Sequence, residues 1–381
     1  MTLGEIFRRY GPRYRAHFGD QLSSEQIQAM RAIEQCRTEA LGGQVYTCPA
    51  CATTRYSYHS CRNRHCPTCQ QDASQTWLAH QQDVLLPVPH FLITFTLPSG
   101  LRALARQHPR TIYTLLFRAS AAALQQLAQD PRFVGGRIGM LGVLQTWTRD
   151  LRFHPHVHYL VPAIALAPDD TLRRPRNPAF LVAAKPLAVL FRAKLRAALQ
   201  QTDLYQSIPR ETWQQPWVVD CRSVGSGAAA LKYLAPYIFR VALSNNRIVS
   251  IEDDQVTFRY RDGTTKQMRT CTLPALTFIG RFLQHVLPKG FVKVRYYGLF
   301  RLGNRRLLAQ VRAKLVPPES EGVAPAAAPV MLAPPSVMRC PRCGKPMQLV
   351  QSIPRQSRAP HHSRPPRPAK SVRVRSSRAS T

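Results

Sequence analysis

The chain has 381 residues, enough to bury a sizeable core and carry smaller appendages, which excludes a lone binding module. Its 53 Lys and Arg against 20 Asp and Glu give a formal charge of +33; this opposes compaction unless a polyanion supplies the missing charge, so DNA or RNA is the expected partner. No apolar run approaches the roughly 20 residues of a spanning helix, and the opening MTLGEIFRRYGPRYR lacks the apolar segment of a secretory signal, so no membrane partner is expected.

Residues 1–45 read as helical, with Ser23-x-x-Gln26 forming a capping box and Gly42-Gly43 a stop. Six of the ten cysteines then fall between Cys36 and Cys69, a clustering that in a reducing compartment favours metal over disulfides. A cytoplasmic, nucleoid-associated protein is expected. Cys48, Cys51, Cys66 and Cys69 make C-x2-C-x14-C-x2-C, the pattern of one structural Zn2+ in a ribbon. Cys36, His59, Cys61 and His65 are left over, for a second site or as replacement ligands. Arg55, Arg62 and Arg64 interleave with Tyr56 and Tyr58, offering phosphate contacts and stacking surfaces, with a solvated basic face as the plain alternative. Pro67 opens a helix expected to end near Leu86.

From His90 onward strands and helices alternate. FLITFTLPS reads as a strand, LRALARQH and TIYTLLFRASAAALQQLAQD as helices. IGMLGVLQTWT and FHPHVHYLVPAIAL, joined at Arg149-Asp150, read as an antiparallel hairpin. A helix over about 185–201, a strand at PWVVDCR and a helix from Ser226 follow. IVSI and QVTFRYR flank Glu252-Asp253-Asp254 as a second hairpin, then a helix TFIGRFLQHVL and a strand FVKVRYYGLF. No internal repeat is seen. Beyond Val316 the chain is Pro-, Ala- and then Arg-rich without an acidic residue after Glu321, a composition expected to be largely disordered. CPRCGKPM is the one candidate ordered island. Its Cys340 and Cys343 form half a knuckle that only His361 and His362 follow, so no stable site is expected there.

Two segments carry chemistry. Strand periodicity puts His154, His156 and His158 on one face, with imidazole bases about 6–7 Å apart, near enough for two or three to converge on one ion. Histidines that only satisfy local hydrogen bonds are the alternative. In AALKYLAPYIFRVA, Tyr233 and Tyr237 lie four apart and share a helix face, their β-carbons about 6 Å apart. Two core aromatics are the alternative here. A phenol titrates near 10, so an attacking tyrosine needs a cation nearby, which Lys232 and the basic field offer. Phosphodiester transesterification is the reaction that joins a divalent ion to a tyrosine nucleophile. His285 reads as a capping or core residue rather than a catalytic one.

The motifs ALGGQVYTCPAC, SCRNRHCPTCQ, HFLITFTLPSGLR, FHPHVHYLVPA, KYLAPYIFRVALSNNRI and HVLPKGFVKVRYYG, in this order, resemble the HUH endonucleases, and among them the two-tyrosine rolling-circle transposases of the insertion-sequence-91 family. The resemblance covers roughly residues 25–310. It implies an α+β fold, with a zinc-binding domain before an HUH domain whose central antiparallel sheet is flanked by helices. The implied activity cleaves one DNA strand at element ends and transfers it through a 5′-phosphotyrosine and single-stranded intermediates. His156 and His158 match the HUH pair and Tyr233 and Tyr237 the nucleophiles; the ion implied is Mg2+ or Mn2+. His154 is the adjacent candidate for a third ligand; in some HUH relatives that ligand lies four residues past the nucleophile, where this chain has Tyr237 and Val241, so the third ligand is left open. Pro236 should kink the tyrosine helix or mark its start. The expected division is 1–86 helical and zinc-binding, 88–315 strand transferase, and 316–381 basic tail. A rolling-circle plasmid replication initiator or relaxase is the nearest alternative, and a non-catalytic zinc-dependent DNA-binding repressor the next.

Overall fold

The computed structural model describes residues 1–69, 75–79, 81, 85–239, 242–263, 265–315 and 337–356, the side chains of residues 233 and 235–239 excepted. The chain opens with α1 (Leu3–Phe18) and α2 (Ser24–Gln35), each started by a capping box, Thr2 with Glu5 and Ser23 with Gln26. Helix α2 stops at Cys36, earlier than the glycine pair. Gly42 instead takes φ +70° where another backbone comes close: a Cβ there would lie 2.5 Å from the carbonyl oxygen of Ile353. The zinc module's strands follow, β1 (Gly43–Thr47) and β2 (Thr54–Tyr58). Of the helix expected up to Leu86, residues 75–79 and 81 are helical, and residues 70–74, 80 and 82–84 lie outside the described residues.

The alternating segments take the expected order: β3 (His90–Thr96), α3 (Arg102–Gln107), α4 (Pro109–Gln129), β4 (Arg137–Trp147) and β5 (Phe153–Pro162). Short strands β6 (Ala165–Leu166) and β7 (Leu172–Arg173) lead to α5 (Ala184–Gln200), β8 (Val219–Ser223) and α6 (Ala228–Phe239). Strands β9 (Ile248–Glu252), β10 (Gln255–Arg261) and β11 (Met268–Pro274) precede α7 (Ala275–Leu283), β12 (Val294–Gly298) and α8 (Arg305–Ala313). The last described strand is β13 (Gln348–Ile353).

The central sheet runs β7-β6-β4-β5-β3-β8, with β12 also on β4, and every pairing is antiparallel. Because side chains alternate across a strand, each face of this sheet carries its own core. On one face Phe91, Ile93, Phe95, Val157 and Tyr159 pack beneath α4 and α5, Phe95 meeting Phe191 edge-on at 5.0 Å. Each such side chain contributes about 1.5–3 kcal/mol by leaving water. On the other face Leu92, Leu141, Val143 and Leu160 meet Leu231 and Leu234 of α6.

The expected division of the chain does not follow the cores. Leu3, Ile6 and Phe7 of α1 share one core with Phe258 of β10 and Phe278 and Phe282 of α7. The apolar stripe of α1 packs on Met30 and Ile33 of α2 as well as on this later hairpin and helix. In the tail, the ordered island expected at CPRCGKPM is present and extends over 337–356: β13 pairs with β1, which pairs with β2.

Candidate functional site

Register places the histidine strand between two partners. His156 lies opposite Gln145 on β4 and Thr96 on β3, and His158 opposite Val143 and Thr94. The His156 and His158 rings are 4.7 Å apart, centroid to centroid. His156 Nδ1 donates to the His154 carbonyl at 2.7 Å, which leaves Nε2 as the lone-pair nitrogen. His158 Nδ1 sits 2.9 Å from the Thr94 hydroxyl, and its Nε2 lies 3.3 Å from Gln145 Oε1. Gln145 Nε2 donates to the Trp147 carbonyl at 3.1 Å, turning Oε1 toward the histidines. Burial holds both rings neutral, His156 down to about 4 and His158 well below the usual range, the latter helped by His156 and Arg222. Neutral imidazole is the form that ligates metal.

His154 does not join them. Its Nδ1 accepts from the Arg102 guanidinium at 2.9 Å, and a cation already beside it opposes a second one. Among the described residues the only groups of three or more His, Cys, Asp or Glu ligand atoms mutually within 4.8 Å are made of cysteines. The oxygen that faces the His pair is an amide, Gln145, which motif reading passed over; its place one register step across the hairpin was the available signal.

Helix α6 carries Tyr233 and Tyr237 across the histidine-bearing face, seated through Leu231 and Leu234. The two tyrosine side chains lie outside the described residues. Pro236 is inside the helix, not at its start. The turn into α6 is set by Gly227, at φ +79°, where a Cβ would meet the His90 ring at 2.7 Å, while His90 N donates to the Gly225 carbonyl. Lys232 is exposed on this helix. His285 is core, as expected: it stacks on Phe153, bonds Thr146 and the Leu151 carbonyl, and is held at about 3 by burial.

The cysteines group differently from the spacing. Cys66 and Cys69 join Cys36 and Cys61, while Cys48 and Cys51 join Cys340 and Cys343. The C-x14-C interval misled because the first knuckle sits at the turn of the β1–β2 hairpin and β2 leads away from it, while Cys36 is delivered beside Cys66 by the end of α2. His59 and His65 are not ligands: His59 Nδ1 bonds the Leu41 carbonyl, and His65 Nε2 accepts from the Leu287 amide at 3.1 Å. Cys61 and Cys69 sulfurs are 3.7 Å apart, close to the roughly 3.8 Å edge of a tetrahedron with Zn–S about 2.3 Å, so the Cys36 set fits structural Zn2+.

Of the basic residues, Arg64 turns inward, donating to the Phe291 carbonyl at 2.9 Å, its guanidinium lowered by burial. Arg62 is exposed and lines a cleft of about 1230 Å³ together with Gln28, Arg31, Arg37, Tyr58 and Arg355. Arg355 belongs to the C-terminal segment. Tyr56 of β2 is 58% exposed and stacks on Tyr58.

Comparison with known proteins agrees with this layout. The description "Transposase zinc-binding domain" matches residues 6–97, and "Putative transposase" matches residues 139–307. The chain is 40% identical over 349 residues to "Putative transposase y4qJ" of Sinorhizobium fredii, covering 85% of this chain and 87% of that protein. It is 28% identical over 298 residues to "Transposase for insertion sequence element IS801" of Pseudomonas savastanoi pv. phaseolicola, covering 74% and 71%. No solved structure matches. No described helix is long and apolar enough to cross a membrane. Two matching domains in this order, with a relative this similar over nearly its whole length, mean that the chain belongs to the insertion-sequence-91 family of transposases.

Proposed function

We propose that the protein cleaves and rejoins one strand of DNA through a 5′-phosphotyrosine, moving an element by rolling-circle-like transfer within the bacterial cytoplasm. What supports this most is that the helix bearing Tyr233 and Tyr237 packs on the sheet face that bears His156 and His158. In this reading His156 Nε2, His158 Nε2 and Gln145 Oε1 would hold Mg2+ or Mn2+. The amide oxygen suits such an ion, which substrate phosphate oxygens would further ligate, and the hydrogen bonds from Nδ1 of each ring fix the ligating nitrogen. The bound ion supplies charge stabilisation on the scissile phosphate.

The protein's own groups do the rest. A tyrosine oxygen attacks phosphorus in line, a phosphotyrosyl ester forms, and the 3′ oxygen leaves and takes up a proton. Rejoining reverses this: a 3′-hydroxyl attacks the phosphotyrosine, and the phenolate is released. No bond energy is lost, so no nucleotide is consumed. Arg102, whose buried Nε has no hydrogen-bond partner among the described residues, offers charge to the strand beside His154. The cleft lined by Arg31, Arg37, Arg62 and Arg355, with exposed Tyr56 nearby, suits backbone contact and base stacking on single-stranded ends.

The test is incubation with single-stranded oligonucleotides spanning the element's ends and Mn2+. Wild type should form a covalent adduct that survives denaturation. Tyr233→Phe with Tyr237→Phe should abolish the adduct while oligonucleotide binding persists. Cleavage at a plasmid origin alone, or an adduct unchanged in the double variant, would sink the reading.

A further inference from the structure

Cys340 and Cys343 lie outside both matched domains, Cys340 289 residues beyond Cys51, and yet they complete a sulfur tetrad. Cys48 and Cys343 sulfurs are 3.5 Å apart, Cys51 and Cys340 3.5 Å, and Cys51 and Cys343 3.6 Å, and none is in a disulfide. Thiols packed this tightly suit one tetrahedral ion with Zn–S near 2.3 Å and leave no room for a larger cluster.

The backbone repeats the same turn twice. Cys48-Pro49-Ala50-Cys51-Ala52 and Cys340-Pro341-Arg342-Cys343-Gly344 each carry a cysteine amide that donates five residues ahead, to the Thr53 and Lys345 carbonyls, both at 2.9 Å. Each also carries a return bond, Ala52 N to the Cys48 carbonyl at 2.8 Å and Gly344 N to the Cys340 carbonyl at 2.9 Å. The residue after the second cysteine has positive φ in both, +54° at Ala52 and +73° at Gly344. Two such knuckles facing each other are the halves of a ribbon site. The flanking strands pair as well, β1 with β13, and Gly42 lets the Ile353–Arg355 backbone approach.

Little besides the sulfurs fills the middle. Among the described residues the buried apolar cluster here is Cys48, Cys340 and Met347, with Tyr46, Cys51 and Met338 partly buried against it. A core that small supplies little folding free energy, and in domains of this kind metal binding is folding free energy. Arg339, Arg342 and Lys345 in the second knuckle offset the double negative charge of a tetrathiolate zinc.

We propose that Cys48, Cys51, Cys340 and Cys343 bind a second Zn2+, which clasps residues 337–356 onto β1 and so holds one wall of the basic cleft. Binding replaces four thiol protons with the ion, and the protons go to solvent. The reading is independent of the strand-transfer chemistry.

Metal analysis of the full chain, purified with zinc, tests it. Wild type should contain two zinc ions per chain and Cys340→Ser with Cys343→Ser one. A wild-type count of one, a second ion that is iron, or two ions retained in the double variant would overturn the proposal. Should that variant fail to fold, a specific protease site placed between Ala326 and Ala327 keeps the question open to measurement. After cleavage the C-terminal fragment should co-elute with the rest of the chain at full zinc content, and separate when Cys48→Ser and Cys51→Ser are introduced. A fragment that leaves the zinc-loaded protein, or stays after those substitutions, would contradict the clasp.

Discussion

The histidine sheet and the cysteine ribbon stand on different foundations. Beneath His156 and His158 lies a seven-stranded sheet with a large apolar core on one face and a second on the other, none of which depends on an ion. The ribbon of β13, β1 and β2 has three buried apolar side chains at its knuckles. A metal lost from the first should therefore cost chemistry, and a metal lost from the second should cost structure.

The sharpest way to break that contrast is at the ligands. His158→Ala is expected to lower strand cleavage by more than about a hundredfold, since losing even a hydrogen-bond partner behind a ligand costs about 10–100-fold. The sheet should survive, checked by far-ultraviolet circular dichroism; a variant that unfolds would erase the distinction. Next comes Gln145→Ala, for which the expectation is about 10–100-fold weaker Mn2+ activation with unchanged oligonucleotide affinity, and recovery in Gln145→Glu. Equal Mn2+ dependence in Gln145→Ala would remove Gln145 from the site.

Gly227→Ala perturbs the same sheet without touching a ligand. It forces a side chain into φ +79° and against His90, strain of about 1–3 kcal/mol at the root of the tyrosine helix. Cleavage should fall about tenfold, as the cost of roughly 1.4 kcal/mol predicts, with metal affinity measured by titration unchanged. Loss of metal binding would mean that the helix, not the strand, organises the ligands.

Acid acts on buried rings in both regions. Burial holds His156 at about 4 and His65 and His285 at about 3, below the ordinary 6.5. The unfolded chain thus takes up protons first, and stability, complete above pH 6.5, is lost as pH falls toward 3–4. Each such ring contributes at most about 1.4 kcal/mol per pH unit. The thermal midpoint should drop across that window, and His285→Asn should flatten the slope. The ribbon fails in the same direction by another route, protonation of thiolates, which a zinc-release dye reports separately.

How much of this was legible depended on whether the signal was local. The capping box at Ser23, the hairpin at Arg149-Asp150, the His alternation and the helix through Tyr233 all follow from short-range periodicity, and the structure has each element where the pattern puts it. Gln145 was hidden because its relevance exists only across the hairpin register. The cysteine grouping was misread because spacing along the chain ignores where a hairpin carries its ends. The repeat CPxC followed by Ala or Gly, at Cys48 and Cys340, was the signal that would have joined them. Composition said the far end could not fold by itself; it does so against β1. The shared core of α1 with α7 was invisible for the same reason, since an amphipathic helix does not name its partner.

The account rests on a tyrosine of α6 attacking DNA from above the histidine face. Tandem mass spectrometry of the peptide left on a cleaved element-end oligonucleotide, after trypsin and nuclease digestion, tests this most directly. The predicted result is a nucleotide linked to Tyr233 or Tyr237. A linkage to a serine or to a tyrosine elsewhere, or cleavage with no linked peptide at all, would contradict it.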